Sequence, residues 1–86
     1  MKLTKQTAAR QLAAYLRHEL TLSQLVDWAE TALMDGEFDP ADSGLLAQVV
    51  GRIGVADVRA FGLAWEDCEE LLHELGFAAR VEVVAA

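Results

Sequence analysis

Cysteine is almost absent from this chain of 86 residues, with Cys68 standing alone. One cysteine closes no intramolecular disulfide, so packing has to hold the fold. A small domain without bridges points to a reducing compartment, the cytosol. Long hydrophobic runs are missing too. The longest are a few residues, against the roughly 20 that span a bilayer. Near the start, Arg10, Gln11, Arg17 and His18 interrupt the apolar stretch that a signal peptide carries. The expectation is a soluble, cytoplasmic protein.

Basic residues are scarce. Seven Lys and Arg face 14 Asp and Glu, a net charge of −7 with both His neutral. Their placement is lopsided. Residues 1–18 hold Lys2, Lys5, Arg10 and Arg17 and no acid, giving +4, whereas the rest of the chain sets Arg52, Arg59 and Arg80 against all 14 acids, giving −11. Nucleic-acid affinity comes largely from Lys and Arg neutralising phosphates. Most of this surface repels a polyanion, and only the first helix offers a small phosphate-facing patch, so no nucleic-acid partner is expected.

Apolar material, in contrast, is plentiful. Hydrophobic residues make up 53 % and charged ones 24 %, too apolar a balance for a disordered chain. The length fits one domain, residues 1–86. At this size folding buries roughly 60 to 65 % of the unfolded surface. A deep substrate cavity would consume much of so small a core, which argues against an enzyme.

Periodicity predicts four helices, at about 4–18, 22–35, 40–53 and 65–75. In the first, Thr4 is the N-cap and Ala8, Leu12, Tyr15 and Leu16 form one face. The second opens on a local signal. Thr21 as N-cap with Gln24 three residues on makes a capping box, and Leu20 with Leu25 a hydrophobic staple. Its inner face is Leu22, Leu25, Val26, Ala29, Ala32 and Leu33, widened by Trp28, and Gly36 supplies a left-handed stop. Asp39 then caps a helix with Pro40 at its first position. Leu45, Leu46, Val49, Val50 and Ile53 are its stripe, and Gly44 and Gly51 imply a closely packed neighbouring helix. Residues 55–61 read either as a helical turn at 57–61, capped by Asp57, or as a short extended piece, and the turn is the preferred reading. The fourth helix turns Trp65, Cys68, Leu71, Leu72 and Leu75 inward and Glu66, Asp67, Glu69, Glu70, His73 and Glu74 outward, and Gly76 closes it. Arg80, Val81, Glu82, Val83 and Val84 read as one strand. Inside a helical chain such a strand either frays or pairs with a stretch of the same chain, with its copy in a homodimer, or with another protein's sheet edge. The fold class is all-α, a small bundle of four helices with a short extended C-terminal segment.

Chemical motifs are few. Cys68 lies on a core stripe, where a thiol is an inert small hydrophobe. Neither the P-loop spacing nor Gly-x-Gly-x-x-Gly occurs. Asp35, Glu37 and Asp39 alternate as in a calcium loop, but Pro40 and Leu46 occupy the positions of its glycine and bidentate acid. Glu70 and His73, at i and i+3, have a metal-binding spacing. A carboxylate and histidine site would need a homodimer, with Glu30 or Glu19 added, and the pair points away from the leucines. No cofactor is expected.

The acidic surface remains. The fourth helix exposes Glu66, Asp67, Glu69, Glu70 and Glu74, and the second adds Asp27 and Glu30. Like charges at i and i+4 each cost about 0.2 to 0.5 kcal/mol in a helix, and a surface serving solubility alone mixes signs. The reading is a non-enzymatic interaction module whose acidic face, Glu66, Asp67, Glu69, Glu70, Glu74, Asp27 and Glu30, binds a basic protein. In size, acidity and helicity the chain resembles small bacterial immunity proteins and antitoxins that cover basic toxins, which implies an inhibitor. Two alternatives stand beside it: the homodimeric metal protein, and a structural homo-oligomer joined through residues 80–84 or through Trp28 and Trp65.

Overall fold

A computed structural model describes residues 2–58, 62–80 and 83–85. They form a compact, mostly helical domain: β1 (Lys2–Leu3), α1 (Lys5–Leu16), α2 (Leu22–Asp35), β2 (Glu37–Phe38), a 3-10 turn (Pro40–Asp42), α3 (Ser43–Gly54) and α4 (Trp65–Glu74). Four helices are present, as periodicity predicts, with α1 ending at Leu16 and α3 beginning at Ser43.

Local chemistry sets the helix starts. The Thr4 hydroxyl accepts the Thr7 N–H at 3.2 Å. At α2 the capping box closes in both directions: the Thr21 hydroxyl accepts the Gln24 N–H at 3.1 Å, and Gln24 Oε1 accepts the Thr21 N–H at 2.8 Å. Asp39 does cap, taking the Ala41 N–H at 3.1 Å, but it caps the 3-10 turn. The third α-helix therefore begins at Ser43 rather than at residue 40.

Two helices end in paired reverse-turn bonds. After α1, the His18 N–H reaches the Tyr15 carbonyl and the Glu19 N–H the Ala14 carbonyl. After α4, the Gly76 N–H reaches His73 and the Phe77 N–H reaches Leu72 at 2.8 Å. This motif needs one left-handed residue. Gly76 supplies it at φ 90°, whereas at α1 the position falls to His18 at φ 63°.

Gly36 corrects the expected left-handed stop, since its backbone is extended, at φ −79° and ψ 146°. The chain runs straight on from α2 into β2, which pairs in parallel with β1, Lys2 opposite Glu37 and Leu3 opposite Phe38. Glycine is required here for space: a Cβ would collide with the Ala32 carbonyl and the Leu3 side chain. Two-residue strands carry no alternation, so this sheet has no periodic signature in the sequence.

The core gathers Leu3, Leu12, Leu25, Leu46, Val49, Val50, Ile53, Cys68 and Leu75, all essentially inaccessible to solvent. α2 packs most extensively on α3, and α1 bridges that pair to α4. Three expectations of the packing fail. Nothing approaches a Cβ built at Gly44 or Gly51; the glycine at the α2 and α3 contact is Gly54, where an added Cβ would lie 3.5 Å from the Leu33 side chain. Leu33 itself is exposed, because it lies at the rim of that contact rather than beneath it. Trp65, at the start of α4, is 36 % exposed instead of turned inward. Of the strand expected at 80–84, Val81 and Glu82 lie outside the described residues, and Arg80, Val83 and Val84 have no regular structure. Of the turn expected at 57–61, residues 59–61 lie outside them too, and a turn spans Val55, Ala56 and Asp57.

The glycines give a paired prediction. Gly36→Ala should destabilise the fold by about 1 to 3 kcal/mol through overpacking, whereas Gly51→Ala, in open space within α3, should stabilise it by about 0.5 to 1 kcal/mol. Urea midpoints of the two variants test this. Equal shifts would remove the steric role of Gly36.

Candidate interaction surface

The apolar stripe of α4 fixes where its charges go. With Cys68, Leu71, Leu72 and Leu75 buried against the core, a helix of 3.6 residues per turn has to direct Glu66, Glu69, Glu70, His73 and Glu74 outward. All five are exposed.

Asp67 behaves differently. Its Oδ2 accepts the Ala64 N–H at 2.8 Å, filling one orphan donor at the helix start. The same oxygen lies 3.6 Å from Arg52 Nη2 on α3. Arg52 Nη1 in turn donates to the Gly62 carbonyl at 3.1 Å. Asp67 and Arg52 thus tie the start of α4 to α3.

Residues 77–79 follow the α4 turn and build relief around the helix. On one side, Glu66, Glu69, Glu70 and His73 line an open groove of about 560 Å³ together with Phe77, Ala78 and Ala79. On another edge, Glu70 and Glu74 meet Gln48, Arg52 and Asp67 in a smaller depression of about 280 Å³. Asp27 and Glu30 are exposed on α2, whose main packing partner is α3, and neither lines a groove with the α4 acids. The structure brings Glu66, Glu69, Glu70 and Glu74 together on one helix. It does not bring Asp27 and Glu30 to them.

The opposite charge gathers across the same segment. A groove of about 760 Å³ runs between α1, the start of α4 and residues 77–80, with Leu16, Trp65, Leu72 and Phe77 among its apolar lining and Arg10, Arg17 and Arg80 around it. Residues 77–79 line both the acidic and the basic groove. The first two arginines are legible in the sequence as part of the basic face of α1. Arg80 is not, since only the fold-back after Gly76 brings it there.

Ion pairs among the described residues engage few of these charges. Among the described residues, Lys5 meets Asp42 at 3.8 Å, Arg17 meets Glu19 at 3.1 Å and Arg52 meets Asp67 at 3.6 Å. None of these pairs involves Arg10, Arg80, Glu66, Glu69, Glu70 or Glu74. Glu70 and His73 share the outward face, and no three His, Cys, Asp or Glu among the described residues gather as metal ligands do. Among the described residues, no helix is long and apolar enough to cross a membrane.

Compared with family models, curated proteins and solved structures, the chain matches none.

Cys68 is fully buried. Burial pushes its thiol up from 9.0 to about 11; the nearby Asp67 charge adds to the rise and Arg52 opposes it. At neutral pH the group is a thiol rather than a thiolate, as its place on the core stripe implies. Native protein should therefore resist a thiol reagent at pH 8 and react on unfolding. The unfolded chain surrenders this proton near pH 9 while the folded chain keeps it to about 11. Stability is accordingly unaffected by Cys68 below pH 9 and falls between 9 and 11 by about 1.4 kcal/mol per pH unit. Urea titrations of Cys68→Ala across that window should lack this component of the slope; an unchanged slope would assign it to other groups.

Proposed function

We propose that this protein is a non-enzymatic interaction module of the cytoplasm whose acidic α4 face docks on a basic protein surface, inhibiting its partner by covering it. The observation that supports this reading is the charge of α4. Of its ten residues, Glu66, Asp67, Glu69, Glu70 and Glu74 are acidic, and apart from Asp67 they stand exposed with no ion pair among the described residues. Glu66 with Glu70, and Glu70 with Glu74, repel at i and i+4, each at about 0.2 to 0.5 kcal/mol. A basic partner turns that repulsion into attraction and draws the two together by long-range steering.

Asp67 has a separate part, since its carboxylate is engaged by the Ala64 N–H and Arg52. It sets the pose of α4 while the four glutamates present the charge. Asp27 and Glu30 on α2 extend the acidic field without sharing the groove.

The face is tested by replacing Glu66, Glu69 and Glu70 with lysine in an untagged bait and eluting captured proteins from nuclease-treated lysate with rising salt. The native chain should retain basic proteins that leave at moderate salt, and the triple variant should lose them, with association to any purified member slowed about tenfold or more. Retention of the same proteins by the triple variant would remove α4 from the interaction.

A further inference from the structure

The two grooves beside residues 77–79 carry opposite charge. Arg10, Arg17 and Arg80 border one, and Glu66, Glu69 and Glu70 border the other, with Phe77, Ala78 and Ala79 common to both. A two-fold interface brings the same patch of each copy together, so a patch holding one sign of charge repels itself. A patch with a basic half and an acidic half across a shared ridge has the reverse property. Turned by a half rotation about that ridge, each basic half meets an acidic half.

We infer that the basic surface recognised by α4 is that of a second copy of this chain: a two-fold homodimer in which Arg10 and Arg80 of each copy face Glu66 and Glu69 of the other across Phe77, with Trp65 at the edge of the basic half. This rests on the reading of α4 as a docking face and names its partner. Three observations carry it. The charges are complementary, and within one chain none of these four residues has an ion pair among the described residues. The ridge between them is apolar, with Phe77 38 % exposed, and Trp65, 36 % exposed, lines the basic groove beside it, large side chains of the kind that anchor interface centres. The basic groove also has an apolar lining that includes Leu16 and Leu72, so the contact excludes water where the charges pair. Arg17 plays a smaller part, since Glu19 already lies 3.1 Å from it. An outside basic protein would compete with the second copy for the same carboxylates.

Charge exchange tests the assignment. One variant carries Arg10→Glu with Arg80→Glu, and a second carries Glu66→Arg with Glu69→Arg; mass in solution is followed by sedimentation equilibrium at low and high salt. The native chain should dimerise, more weakly in high salt. Each variant alone should dissociate at least about tenfold more readily, because like charges now face each other. An equimolar mixture should restore dimers containing one copy of each variant, and misfolded chains cannot give that result. A native chain that stays monomeric at millimolar concentration overturns the inference, and so does a native dimer indifferent to both variants. The docking reading is decided separately: a monomeric native chain that still loses basic proteins on replacement of Glu66, Glu69 and Glu70 keeps the acidic face and refutes only the second copy as its partner.

Discussion

The burial of one stripe, Cys68, Leu71, Leu72 and Leu75, against the rest of the core is the constraint from which the surface of this domain follows. A ten-residue helix that commits three side chains inward, with Leu75 buried just past its end, has little freedom in where the others point. Its acids have to share the remaining arc, and their mutual repulsion is opposed only by the packing beneath them. Burial of a large aliphatic side chain is worth about 1.5 to 3 kcal/mol, several times the repulsion of one i and i+4 pair. Packing wins, and the helix holds its charge in place.

Both ends of α4 contribute to that placement. At the start, Asp67 accepts the Ala64 N–H and meets Arg52, so α3 and α4 are joined by a partly exposed contact as well as by the core. At the end, Gly76 adopts a backbone that other residues resist, the Phe77 N–H returns to Leu72, and the chain is thrown back along the helix. Leu75 stays buried while Phe77, two residues on, emerges between the grooves. One glycine thus converts an acidic helix into a surface with two sides of opposite charge. The lopsided charge of the chain, +4 in residues 1–18 and −11 in the rest, acquires a spatial meaning at that ridge.

Features set by near neighbours in sequence were legible from the residues alone. Thr21 and Gln24 cap α2 because the bonds span three residues, and the outward glutamates of α4 follow from the period of the helix. Contacts made across the fold were not. Gly36 lies where a helix stop is common, yet its role is to admit Leu3 from the other end of the domain. Gly44 and Gly51 imply a close neighbour by spacing, but α2 approaches α3 one turn away, at Gly54. Trp65 fits the inward stripe by period, but at the first position of α4 the helix has only begun to contact the core, and the ring lies at the groove edge. The acidic half of the candidate site was therefore readable. The basic half was readable only in Arg10 and Arg17, because Arg80 joins them through a turn.

The central claim is that α4 and the ridge after it form the contact between two copies of this chain, and a dilution series of amide spectra at low salt reads that surface directly. Amides of residues 66–73 and 77–79 and those near Arg10 should shift with concentration, the changes should vanish at high salt, and Asp27 and Glu30 on α2 should stay still. Shifts centred on α2 and α3, or a spectrum that does not change with concentration, would contradict the claim.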